Sequence, residues 1–238
     1  MTTTTAAGDI LAELGLAGTP VAEARLVRAK VVAASPDVAL LQVLGTDPYE
    51  AVMPVTEFYP RRWNTGETLV LEQLSAPPRP LVSAVRPELV TMAFDGFSPE
   101  VRSGQVRIMA VARHPGVRSK VAVATTDAAL DPVAACVGRN ANRVKGVASL
   151  LGGERVDVIA WHHDQATYLR NALAPAGVTR VEISGDKAVA VAPAHQMSAA
   201  VGSGGLNAAL AGQLVGLRVV VVAEGSEEDM CSRSEAGV

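Results

Sequence analysis

Two four-residue stretches, Gly138-Arg-Asn-Ala141 and Gly202-Ser-Gly-Gly205, each lie between helix-like segments and are separated by an offset of 64 residues. Backbone N–H groups at the start of a helix attract an anion such as phosphate, and small residues let the backbone come close to it. In the first stretch Gly138, Arg139, Asn140 and Ala141 are followed by Arg143 and Lys145, so fixed N–H groups and mobile positive charge meet in one place. Ala141, at a position where the second stretch has Gly, fits the start of a helix easily and is costly only if its φ is positive. In the second, Gly202, Ser203, Gly204 and Gly205 carry no base; only their N–H groups and the Asn207 side chain could hold a ligand, and a weaker grip follows. Arg113, Arg118 and Lys120 flank a strand–turn–strand near the first stretch and could track phosphates.

Other chemistry finds little support. The four histidines, His114, His162, His163 and His195, have no cysteine or carboxylate at ligand spacing, so no metal site is expected. Glu154, Asp157 and His163 could be drawn as an acid–base set, but nothing places them in one cleft. The run Gly202–Gly205 lacks the Lys-Ser/Thr that follows a nucleotide-binding P-loop. No catalytic residue and no cofactor is therefore expected, and the chain reads as a non-enzyme. Phe58, Tyr59 and Trp63 form one aromatic cluster, read as core and surface plugs more than as a stacking platform.

The chain has 238 residues, 49% hydrophobic and 19% charged, which suits globular domains with real cores. Its net charge of −3 is unevenly spread. Residues 101–145 hold eight bases and two acids, a local excess fit for a phosphate footprint, while both ends of the chain are acidic. No run of apolar residues is long enough to span a membrane, and no secretory signal is visible. Cys136 and Cys231 lie far apart in apolar and polar surroundings, so a disulfide is not expected and a reducing cytoplasm is.

The two loops belong to a longer repeat. At the same offset Val137 falls on Val201, Gly138 on Gly202, Leu150 on Leu214, Gly152 on Gly216 and Val156 on Val220. Upstream, residues 24–84 carry five short strand patterns (24–32, 38–44, 51–55, 68–74, 80–84) divided by turn signals, as in a small OB-type barrel. The order helix, strand, strand, helix, loop, helix, strand then occurs twice. The expected fold is α+β and multidomain: a 1–23 lead, a barrel over 24–84, two α/β modules over 85–162 and 163–222, and a disordered acidic tail over 223–238. A Gly-led loop between two helices is how KH modules grip single-stranded nucleic acid.

Particular residues point to one family. Ala110-Val-Ala-Arg-His-Pro-Gly-Val-Arg-Ser-Lys-Val-Ala-Val123, Leu130-Asp-Pro-Val-Ala-Ala-Cys-Val-Gly138 and Leu151-Gly-Gly-Glu-Arg-Val-Asp-Val-Ile-Ala-Trp161 resemble the first KH domain of the bacterial NusA family. Asn171-Ala-Leu-Ala-Pro-Ala176 and the Ala-Val-Gly-x-x-Gly-x-Asn pattern at Ala200–Asn207 resemble its second. The resemblance implies an S1-type barrel followed by two type II KH domains, each a three-stranded sheet with helices on one face. It also implies binding of single-stranded RNA in transcription elongation, pausing, termination or antitermination, with RNA polymerase or other transcription factors as further partners; a monomer is expected. About 24 residues precede the barrel, so the family's polymerase-docking N-terminal domain is expected to be lacking. That leaves open an alternative, a KH protein detached from polymerase and acting in translation, in ribosome assembly or as an antagonist of the full-length factor.

Overall fold

In the computed structural model, residues 20–57, 64–76 and 79–225 are described, with the side chains of 20–24 excepted. The lead up to residue 19, the cluster of Phe58, Tyr59 and Trp63, the Pro77-Pro78 turn, Cys231 and the tail from residue 226 lie outside them. The chain divides into two compact units. One holds residues up to Pro99 with His114–Arg118 and Asn140–Arg155; the other holds Glu100–Arg113, Ser119–Arg139 and Val156 onward.

The first unit is built on five strands: β1 (Pro20–Ala34), β2 (Val38–Val43), β3 (Tyr49–Pro54), β4 (Thr68–Ser75) and β5 (Val82–Ser83). They make one antiparallel sheet in the order β3-β2-β1-β4-β5, and a Val52–Leu81 bridge curls it towards a barrel. Side chains alternate between the faces of a strand. Accordingly Val27, Ala29 and Val31 of β1, Leu41 and Val43 of β2, and Leu69 and Leu71 of β4 fill the interior. Alternation also fixes the register, since a slip of one residue would turn this set outward. Helix α1 (Glu88–Phe97) buries Leu89, Val90, Ala93 and Phe94. A single-turn helix, α2 (Pro99–Arg102), follows the break at Ser98 and belongs mostly to the other unit. Phe97 lies against α4 (Asn142–Leu150) because Gly146 has no Cβ; one built there would stand 2.3 Å from the Phe97 ring.

The second unit contains most of two three-stranded sheets. β6 (Arg107–His114), β7 (Arg118–Ala124) and β8 (Arg155–Ala160) form the first, in the order β6-β7-β8. β9 (Arg180–Ser184), β10 (Lys187–Ala192) and β11 (Arg218–Ala223) form the second, with β10 central, antiparallel to β9 and parallel to β11. Helix α3 (Pro132–Val137) opens on Asp131, whose carboxylate accepts from the N–H groups of Val133 and Ala134. Helix α5 (Gln165–Ala172) opens on Asp164 in the same way, and the hydrogen bonds from Thr167 hold that carboxyl below its ordinary value. The remaining helices are α6 (Met197–Val201) and α7 (Leu206–Val215).

One core runs through this unit. Ala112, Ala122 and Ile159 of the first sheet cluster with Tyr168, Leu169 and Ala172 of α5, and on with Ala188, Ala190, Leu210 and Leu214. Asn171 Nδ2 donates to the Ala160 carbonyl (3.0 Å), so the linking helix is also pinned to the end of β8. The fold is thus mixed α+β: a curled five-stranded sheet followed by two KH-like modules, each with three strands and helices.

Burial pushes the Tyr168 phenol up to about 12. An unfolded tyrosine ionises at about 10, so between these values the unfolded chain holds fewer protons and stability falls as pH rises. The ultraviolet difference titration of wild type minus Tyr168→Phe should show phenolate appearing near pH 12. Ionisation at the ordinary value would contradict the burial.

Candidate nucleic-acid interface

The two loops share one backbone. Gly138 (φ 74°, ψ 170°) matches Gly202 (76°, 168°), and Asn140 (54°, 29°) matches Gly204 (58°, 22°). Ala141 (59°, 26°) matches Gly205 (78°, 4°), each standing immediately before the next helix. Three left-handed positions in four residues turn the chain from one helix into another and set the last of them at the N-terminus of α4 or α7. Left-handed backbone costs an L-residue about 1–2 kcal/mol, and Asn carries it better than Ala. Ala141 is therefore not at a helical start, as expected from sequence; it holds a strained conformation that Gly205 adopts without strain.

The second loop shows why its first glycine is needed. A Cβ on Gly202 would stand 2.6 Å from the Asn207 Cβ and 2.8 Å from its backbone N, whereas one on Gly204 or Gly205 would meet nothing within 4 Å. Asn207 is fully buried, and its Nδ2 donates to the carbonyls of Leu173 (3.1 Å), Ala199 (3.2 Å) and Ala200 (3.0 Å). It satisfies carbonyls left over at the ends of α5 and α6 and locks α7 against both. This corrects its expected role: the Asn207 side chain positions the loop and does not face a ligand. Ser203 and Gly204 are exposed at the apex, and the Gly205 N–H donates to the Gly202 carbonyl (3.1 Å).

Around the first loop Arg139, Asn140 and Lys145 are exposed, and Lys145 Nζ donates to the Asn140 carbonyl (3.3 Å), which sets its ammonium over the loop. Arg113, Arg118 and Arg143 are half-buried and engaged within the fold. Lys120 requires a correction. It is fully buried on β7, and its ammonium lies 3.4 Å from Asp157 on β8. A buried cation keeps its charge only beside a partner, so Lys120 braces the sheet and cannot track a phosphate. Glu154 is equally buried; its Oε2 accepts from the Gly116 N–H (2.8 Å) and fixes the β6–β7 turn. With Glu154 and Asp157 so occupied, the acid–base set drawn from sequence does not form. His162 and His163 stack on each other, ring centroids 4.4 Å apart. Among the described residues no group of three or more His, Cys, Asp or Glu is placed to hold a metal. No helix there is long and apolar enough to cross a membrane.

Paired helices joined by a Gly-led left-handed loop, repeated beside three-stranded sheets, define a tandem KH protein. Residues 85–161 match the NusA-like first KH domain and residues 165–229 the NusA-like second KH domain. The two matches together cover well over half of the chain, which belongs to the NusA-like family. Among its relatives is the transcription termination/antitermination protein NusA of Bacillus subtilis, 33% identical over 74% of this chain and 49% of that protein. The NusA protein of Halalkalibacterium halodurans is 31% identical over 76% of this chain and 50% of its own length. That of Mycobacterium tuberculosis is 38% identical over 73% and 53%. The chain thus spans about half the length of the curated relatives it matches.

Ala141→Gly should stabilise the chain by about 0.5–1 kcal/mol, the relieved left-handed strain less the greater freedom of an unfolded glycine. Gly205→Ala, into open space, should destabilise by about 1 kcal/mol for the same reason. Gly202→Ala should cost about 2 kcal/mol or more, since steric overlap with Asn207 adds to the strain. Urea-unfolding midpoints rank the three, and a loss of stability in Ala141→Gly would contradict the shared geometry.

Proposed function

We propose that this chain is a single-stranded RNA-binding factor of the bacterial cytoplasm that acts in transcription elongation, pausing, termination or antitermination. The observation that carries the reading is the pair of loops with matched left-handed backbones, each at the head of a helix, within modules of the NusA-like KH family. Such a loop brings N–H groups and a helix N-terminus to a sugar-phosphate backbone and leaves splayed bases to be read beside it. The contact set is Gly138–Ala141 with Arg113, Arg118, Arg143 and Lys145 in the first module, and Gly202–Gly205 in the second. The relatives' name, transcription termination/antitermination protein, supports RNA polymerase and other transcription factors as partners. The KH modules call for no catalytic step.

The two grips are unequal. Arg139 and Lys145 offer exposed charge at the first loop, while residues 202–209 contain no base. Affinity and salt dependence should therefore come mainly from the first module.

Fluorescence anisotropy with a labelled single-stranded RNA should give a salt-dependent affinity that duplex DNA does not match; equal binding to both would sink the reading. Arg139→Glu combined with Lys145→Glu should weaken binding by roughly 1–3 kcal/mol and lower the salt slope by about 2. Gly204→Asp, which sets a carboxylate at the apex of the weaker loop, should cost less. If it costs more, the second loop is the principal grip and the ranking is reversed.

A further inference from the structure

A cleft of about 470 Å³ opens in the second unit at the ends of β7 and β8, lined by Thr125, Thr126, Asp127, Trp161, His162 and His163 above an apolar floor. No lining residue belongs to either loop. Its size falls within the range of small-molecule sites. Trp161 is 38% exposed although its ring leans on Tyr168, centroids 6.4 Å apart and planes tilted by 59°. Beside it the stacked His162–His163 pair adds two more planar rings.

The opposite wall is held in place. Thr125 Oγ1 donates to the Gln105 carbonyl (2.8 Å) and accepts from the Asp127 N–H (3.1 Å), and Asp127 Oδ1 accepts from the Ala129 N–H (2.9 Å). The Trp161 backbone N–H donates to the Val123 carbonyl (2.9 Å), so the residue that carries the ring is tied to the end of β7. Neither Lys nor Arg lines the cleft, and Asp127 brings a carboxylate to it. A phosphate is thereby disfavoured. What fits is a neutral planar ring whose edge carries amino donors for Asp127 and the Thr126 hydroxyl.

We propose that the cleft takes one nucleobase of the bound strand, stacked on Trp161 and the histidine pair, as a third contact beyond the two loops. The proposal rests on the RNA-binding reading above. Base–aromatic stacking is open to any base because each has a π-face, so the stack supplies affinity, while the Asp127 carboxylate favours bases that carry an amino group over uracil.

The chain has two tryptophans, Trp63 and Trp161, so a Trp63→Phe parent reports on Trp161 alone. Single-stranded RNA should quench its fluorescence saturably, with the midpoint found by anisotropy. Trp161→Leu should weaken RNA binding roughly 5- to 100-fold, the range of one lost stack, and Trp161→Phe should restore most of it. Should the Leu variant fail to fold, quenching in the folded parent decides the matter. If RNA binds but leaves the fluorescence unchanged and Trp161→Leu binds like wild type, the cleft proposal falls and the RNA-binding reading stands. If no RNA binds, both fall. Quenching by free nucleoside monophosphates at the concentrations needed for the strand would make the ligand a free nucleotide and overturn the strand contact. Shielding of Trp161 by RNA polymerase but not by RNA would assign the cleft to a protein partner, with the same consequence.

Discussion

Between α6 and α7 the chain must pass from one helix into the next within four residues, and it does so with Gly202, Gly204 and Gly205 all at positive φ. The turn is possible because Asn207, buried beneath Gly202, gathers three carbonyls at the helix ends. Without that side chain the buried Ala200 carbonyl would lose its donor, at a cost of about 1–3 kcal/mol, and the bonds to Leu173 and Ala199 would go with it. Without glycine above it, the loop could not descend onto Asn207. The apex is small and exposed as a consequence of this packing, and those are properties a backbone grip requires.

The first module reaches the same backbone with different residues. Arg143 stands where Asn207 stands in the repeat, and Asn140 and Ala141 stand where glycines do. It gains charge at the loop and accepts left-handed strain at a non-glycine residue. Conformations of this kind persist only where the surroundings hold them and are common at functional sites. Within the second unit, the core that joins β6, β7 and β8 to α5 and then to α7 makes one body of parts that sequence places in two modules.

Much of this was legible in the sequence, because periodic burial and the repeat are both properties of the chain. The five barrel strands, the helix from Glu88 and the paired helices around each loop emerge close to where alternation, capping Asp residues and Pro or Gly breaks put them. Side-chain partners were harder to read. Lys120 looks like a surface base until β7 is seen to be buried along nearly its whole length and Asp157, on another strand, is found beside it. Asn207 looks like a ligand contact because an amide can bond either outward or inward, and only the packing of α5 and α6 decides which. Ala141 left no local sign of its positive φ, although Gly205 at the equivalent position of the repeat carried that information. Trp161 and its histidines could have been noticed as three rings in a row at a strand end, but the cleft is completed by a loop some thirty residues earlier.

Whether the two left-handed loops hold the strand can be tested most directly by amide chemical-shift mapping of the intact chain during titration with a short single-stranded RNA. The account predicts the largest perturbations at Arg139–Ala141 and Ser203–Gly205, with the first loop shifting at lower RNA concentration. Perturbations confined to the five-stranded sheet, with both loops silent at saturating RNA, would contradict it.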